Sequence, residues 1–298
     1  MTSELTTIRD LVRYGVTQFT AAQLSYGQGT ESALEDAVFI VFEALDLPHD
    51  GLELYWDAVV TGAEKKKILK LIEARVKTRT PTAYLLNRAY LQGYRFYVDE
   101  RVIVPRSFIA EILRKEIAGE TDQGLRLYLA RAQNMLDLCT GSGCLAILAA
   151  HLLPQIVVDA VELSPEAAVV ARMNVLAHDM GGRVTIFEGD LFASTAGKYD
   201  AIITNPPYVD AEGMRDLPEE YGREPAMALA AGPDGLDIVH RILKEAPAHL
   251  TDNGILVCEI GRCRPALTAA YPNIPFHWLE SEHSEGEVFW LTKSMIPA

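Results

Sequence analysis

From residue 133 onward the chain alternates short apolar, β-branched runs with longer amphipathic stretches, and this alternation limits the possible fold more than any other feature. The short runs fall at 135–138, 157–162, 184–188, 201–204 and 255–260, and the stretches between them suit helices beginning near Cys144, Pro165 and Asp234. Strands joined by crossover helices run parallel, so the pattern predicts an α/β domain built on a doubly wound sheet. Two last runs, 276–279 and 288–292, flank an acidic, glycine-containing segment and predict an antiparallel hairpin finishing the sheet.

The first eighty residues follow a different period. Leu5, Ile8, Leu11, Val12, Val16 and Phe19 recur at three- and four-residue intervals, and 31–47 and 64–79 repeat the pattern until Pro81 ends it. Between 83 and 106 the composition turns aromatic and β-branched (Tyr90, Tyr94, Phe96, Tyr97, Val98, Val102), with Gly93 and Asp99-Glu100 as turn signals. The chain therefore divides into a small helical domain at 1–82, a β-hairpin linker at 83–106 and the α/β domain at 107–298. The Lys65–Lys67 run reads as a solvated helix face in preference to a nucleic-acid contact.

Charge narrows the partners. Lys and Arg number 27 against 41 Asp and Glu, a net charge of −14, which opposes stable nucleic-acid binding and favours a basic protein partner. The four cysteines lack CxxC spacing and read as reduced cytoplasmic thiols, and the seven histidines show no ligand spacing, so no metal is expected. Residues 1–10 hold no apolar run, and the longest apolar stretch, 145–153, is broken by His151, so no membrane segment is expected.

Asp137-Leu-Cys-Thr-Gly-Ser-Gly143 joins the first strand of this domain to an apolar helix. Gly141 and Gly143 allow a tight turn and close approach of a ligand to the helix N-terminus, a pattern that NAD-binding loops share. Asp137 at the mouth of the loop would repel a pyrophosphate and attract an ammonium or sulfonium, which points to S-adenosylmethionine. Glu162, 19 residues beyond Gly143, suits ribose hydroxyls. Asp190 reads either as a cap or as an acceptor for an adenine amino group, with Leu191 and Phe192 walling the ring.

Asn205-Pro-Pro-Tyr208 follows the fourth strand directly. Two prolines stop the strand and remove two backbone donors, which holds Asn205 at the sheet rim. A planar NH2 is a poor nucleophile because its lone pair is delocalised. Acceptors on the Asn205 side chain and the Pro206 carbonyl can orient that nitrogen towards a methyl group. Pro207 leaves no competing N–H, and Tyr208 offers an aromatic face.

These two motifs together resemble the class I S-adenosylmethionine-dependent methyltransferases that act on exocyclic amino nitrogens, a Rossmann-like, seven-stranded fold. Pro81-Thr-Ala-Tyr-Leu85, Phe96-Tyr-Val-Asp-Glu-Arg-Val-Ile-Val-Pro-Arg106, Arg223-Glu-Pro225 and Ala231-Gly-Pro-Asp-Gly-Leu236 extend the likeness to the protein glutamine methyltransferases over nearly the whole chain. The resemblance implies that Asn205, Pro206, Pro207 and Tyr208 hold a glutamine amide. It implies also that Asp137, Thr140, Gly141, Gly143, Glu162, Asp190 and Leu191, with Asn205, form the cofactor site. Val104-Pro-Arg-Ser-Phe-Ile-Ala-Glu111, Asn87, Cys139 and Tyr26-Gly-Gln-Gly-Thr30 are similar to the branch acting on the third protein of the large ribosomal subunit and depart from the release-factor branch. That branch implies N5 methylation of a glutamine in a basic ribosomal protein, in support of ribosome assembly. Glu259 and Gly261 read as supports of the site or as a plain strand end.

A DNA adenine methyltransferase would need a basic face to hold a duplex and flip its base, which the charge does not favour. A noncatalytic assembly factor keeping the fold would tolerate loss of Asn205.

Overall fold

The computed structural model describes residues 4–297 apart from 49 and 283, so the reading of residues 1–3, of residue 298 and of those two histidines lies outside it. Helices α1 (Ile8–Ala21), α2 (Ala33–Ala44) and α3 (Gly62–Thr78) form the helical part. Thr7 and Thr61 start α1 and α3 with reciprocal capping boxes to Asp10 and Glu64, and Ser32 caps α2, which satisfies the first free N–H groups of each. Leu11, Phe19, Ile40, Phe42, Ile68 and Ile72 meet in a closed core, as their spacing predicts. The lysine run does more than face solvent: Lys65 and Lys67 donate to the carbonyls of Leu5 and Ala44, each at 2.6 Å, tying α3 to its neighbours.

The stretch expected to be a hairpin is only partly one. Its first residues form a short helix, α4 (Thr82–Leu86), and pairing is confined to β1 (Ala89–Leu91) and β2 (Tyr94–Phe96). Residues beyond Phe96 belong to no strand: the chain turns at Glu100–Arg101, with Val102 N donating to the Asp99 carbonyl at 3.1 Å, and side chains hold the rest. The Tyr84 hydroxyl donates to the Val102 carbonyl, and Asn87 Nδ2 donates to the Val98 carbonyl at 3.1 Å. His151 and His178 reach the hairpin from the sheet domain, stacking on Tyr94 and Phe96.

Two helices follow, α5 (Phe108–Ala118) and the short α6 (Arg126–Leu129), and then the alternation begins. It runs β3 (Asn134–Leu138), α7 (Cys144–Leu152), β4 (Val157–Glu162), α8 (Pro165–Ala177), β5 (Val184–Glu188), β6 (Tyr199–Thr204), α9 (Ala211–Asp216), α10 (Asp237–His249), β7 (Leu250–Glu259), α11 (Arg264–Ala270), β8 (His277–Ser281) and β9 (Ser284–Thr292). The sheet has the order β5-β4-β3-β6-β7-β9-β8, with β9 antiparallel to both β7 and β8. This is the α/β, Rossmann-like, seven-stranded architecture that the resemblance implies. Residues 145–150 of α7 are all buried, as an apolar helix without a polar face requires.

The chain runs outward from β3 through β4 to β5, then returns to place β6 on the other side of β3. Ligands of open parallel sheets bind beyond the carboxyl ends of the strands at such a reversal. The loops after β3, β4, β5 and β6 all open there. Among the described residues no helix is long and apolar enough to cross a membrane, and no three His, Cys, Asp or Glu side chains are grouped to hold a metal.

Candidate functional site

A cleft opens over the carboxyl ends of β3, β4 and β5. Cys139, Gly141, Glu162, Leu163, Gly189, Asp190, Leu191, Asn205 and Pro207 line it, and Val102, Ile103, Met227 and Ile238 close it. A second cavity lies alongside, between Arg106, Pro206, Tyr208, Leu217, Tyr221 and Leu229. Asn205, Ile103 and Ala228 line both, so the Asn205 side chain stands at the junction of the two spaces.

The glycine loop is shaped from beneath. Gly141 has a φ of 56° and donates its N–H to Glu162 across 2.8 Å, a left-handed turn that glycine adopts without strain. Gly143 has a φ of 80°, and a Cβ there would come within 3.3 Å of Ala171, so glycine eases both the turn and the close start of α7 beside α8. Glu162 accepts from Ser164 N at 2.9 Å through its other oxygen, and burial raises its pKa.

Asp137 lies behind the loop and not at its mouth. It is fully buried, with one oxygen accepting from Thr140 Oγ1 at 2.5 Å and from Ala146 N at 3.2 Å. The amides at the start of α7 draw the carboxylate inward. Thr140 is turned the same way, so Asp137, Thr140 and Gly143 shape the wall while Gly141, Glu162, Asp190 and Leu191 form it. The other Asp137 oxygen has no hydrogen-bond partner, and desolvation pushes the carboxyl up to about 7 against the hydrogen bonds that lower it. Asp190 is exposed and meets Arg241 at 2.9 Å.

Asn205, directly beyond β6, donates through Nδ2 to the Arg106 carbonyl at 3.2 Å. Its oxygen has no hydrogen-bond partner among the described residues. Tyr208 donates to Glu259 at 3.1 Å, and burial beside that carboxylate pushes the phenol well above its ordinary pKa. Glu259, itself raised to about 7 by burial, also accepts from Ser107 Oγ at 2.7 Å and Phe108 N at 3.0 Å. Glu259 thus both ends β7 and holds Tyr208 and the start of α5.

Arg106 and Tyr221, which sequence reasoning left without a role, are walls of the second cavity, with the guanidinium 5.4 Å from the Tyr221 ring centre. The signal was present in Val-Pro-Arg106 and Arg223-Glu-Pro225, but nothing local says that two segments more than a hundred residues apart meet beside Asn205.

The cleft carries two carboxylates, an open backbone turn and apolar walls. Arg101, also on the wall, is bound by Asp99 at 2.5 Å, so no free base meets a phosphate there. These residues fit a nucleoside bearing positive charge better than a pyrophosphate.

Residues 118–220 match the methyltransferase small domain family model. Three curated relatives are similar over nearly the full length, and each is named a ribosomal protein uL3 glutamine methyltransferase. The relative from Bradyrhizobium diazoefficiens is 52% identical, with 97% of this chain and 91% of that protein aligned. Those from Neisseria gonorrhoeae and Burkholderia pseudomallei are each 46% identical, with 98% of this chain and 96% of the relative aligned.

Proposed function

The chain belongs to the ribosomal protein uL3 glutamine methyltransferases, and from that premise we propose that it transfers a methyl group from S-adenosylmethionine to the side-chain amide nitrogen of a glutamine in uL3. S-adenosylmethionine, held by Gly141, Glu162, Asp190 and Leu191, supplies an electrophilic methyl group on a sulfonium. Asn205, Pro206, Pro207 and Tyr208 take the glutamine amide.

The observation that carries this reading is the place of Asn205 at the junction of the two cavities, with its nitrogen end already bound and its oxygen end free. That oxygen accepts from the substrate NH2, and the Pro206 carbonyl is proposed as the second acceptor. Together they fix the direction of a weakly nucleophilic nitrogen. Pro207 offers no N–H that would compete, and the Tyr208 ring backs the planar group. The amide is neutral and sheds its proton after transfer, so no strong base is required. Apolar walls keep water out, and alignment supplies most of the acceleration. The charge of −14 suits a basic ribosomal protein met in the cytoplasm before assembly.

Incubation with labelled S-adenosylmethionine and purified uL3, or separately a release factor, followed by mass spectrometry of the labelled peptide, tests the reading. Methylglutamine in uL3 is expected. Label confined to the release factor would move the chain to the sister activity, and label in neither would remove the enzymatic reading.

A further inference from the structure

We infer that Glu224 and Arg106 are positioning residues for Asn205, and through it for the amide that receives the methyl group; the inference rests on the function proposed above. Glu224 is buried and lines neither cavity. Its carboxylate nevertheless takes three hydrogen bonds, all from one short stretch lying 118 to 120 residues earlier: Val104 N at 2.9 Å, Arg106 Nη1 at 2.7 Å and Arg106 Nη2 at 2.7 Å. A bidentate guanidinium–carboxylate pair fixes both separation and orientation, which a single ion contact does not. Arg106 Nη1 also reaches the Val104 carbonyl at 3.2 Å. The 104–106 backbone is therefore held at its amide and through its side chain by one acid.

The consequence is felt at the next group along. The Arg106 carbonyl accepts from Asn205 Nδ2. A carbonyl cannot donate, so turning the Asn205 amide by half a rotation would set oxygen against oxygen and point two donors at the incoming NH2. The Arg106 carbonyl thus selects which end of Asn205 faces the cavities. Just beyond it, Ser107 and Phe108 are tied to Glu259, so the same stretch is anchored on either side by two buried acids. Loss of the Glu224 anchor frees the carbonyl to move, and Asn205 with it, while Gly141, Glu162, Asp190 and Leu191 stay in place. A misplacement of about an ångström costs on the order of a hundredfold in rate in an alignment-limited reaction.

The test is a double-mutant cycle on kcat for uL3 methylation at saturating S-adenosylmethionine, with cofactor affinity by calorimetry and folding by thermal melting. Glu224→Gln is expected to lower kcat by roughly 10- to 100-fold, with KM for uL3 and cofactor affinity within about twofold. In an Asn205→Ala background the same change should cost less than about twofold more, because the group it positions is gone. Arg106→Lys, a point charge without the fork, should behave as Glu224→Gln does, and Glu224→Asp should recover part of the rate. A wild-type kcat in Glu224→Gln, losses that multiply in the double variant, or a loss confined to KM would overturn the inference. If Glu224→Gln does not melt cooperatively, Arg106→Lys carries the same cycle. Failure of the functional reading looks different, since the unaltered protein would then leave uL3 unlabelled.

Discussion

Tyr208 and Glu259 are joined by a 3.1 Å hydrogen bond from phenol to carboxylate, so the last residue of the Asn-Pro-Pro-Tyr run is fastened to the end of β7. The same acid holds the first turn of α5. Three elements distant in the chain therefore share one buried acid. Tyr208→Phe keeps the ring and removes one of the donors that Glu259 has. At pH 8, where Glu259 is ionised, a hydrogen bond to a charged group contributes about 1.5–3 kcal/mol, so urea unfolding there should show a loss of that order. Turnover should fall only about 3- to 10-fold because the ring face remains. Unchanged stability would mean that the bond contributes nothing.

Asn205→Ala removes the acceptor proposed for the substrate amide without touching the glycine loop. Removal of one preorganised hydrogen-bonding group costs about 100- to 1,000-fold in kcat in comparable sites. Calorimetry should find cofactor affinity nearly unchanged. Full activity in this variant would remove Asn205 from the catalytic assignment.

Asp137 and Glu259 give stability a pH dependence of definite sign. Both carboxyls are pushed up to about 7 by burial, from ordinary values of 3.8 and 4.5. Between about pH 4 and 7 the unfolded chain has released these protons while the folded chain keeps them, so the unfolded state binds fewer and stability falls as pH rises. Above about 7 both states are ionised and this contribution is level. Urea midpoints at pH 5, 6, 7 and 8 should therefore show a downward component that Asp137→Asn reduces. An identical slope in that variant would show that Asp137 ionises as freely in the folded protein as in the unfolded one.

Asp137→Asn should also separate stability from binding. The amide carries no charge to bury, so the ligand-free protein should melt higher at pH 8, by about 2–4 °C for each kcal/mol recovered. If the unpartnered carboxylate oxygen meets the positive end of the cofactor, affinity should fall by about tenfold or more. A higher Tm with unchanged affinity would confine Asp137 to shaping the loop.

Periodicity read the sheet well because each strand there is a short apolar run between helices, and β4 and β5 begin and end at the residues the pattern predicts. The 83–106 stretch read less well, since its order comes from Tyr84 and Asn87 side chains and not from strand pairing. Asn87 and Cys139 both have positive φ, 52° and 58°, a conformation that glycine adopts without strain, so the backbone turns there without a glycine to signal it. Glu162 and Asn205 were legible because each directly follows or ends a strand at the sheet reversal. Arg106, Tyr221 and Glu224 were not, because their roles exist only once distant segments meet.

The helical part reaches the second cavity through Glu220, the neighbour of Tyr221. Glu220 is fully buried, accepts from Ser25 N at 2.9 Å and meets Arg79 at 2.7 Å, while Arg223 donates to the Thr78 carbonyl at 2.6 Å. Removing one member of a buried pair costs about 3–5 kcal/mol, so Arg79→Met should lower the urea midpoint clearly. Glu220→Gln is the milder change and keeps an acceptor for Ser25. Because Tyr221 is a wall of the cavity beside Asn205, loosening its neighbour should raise KM for uL3 several-fold and leave cofactor affinity unaltered. A Glu220→Gln enzyme with normal KM but a lowered midpoint would make this contact a structural fastening alone, with no part in how the substrate is received.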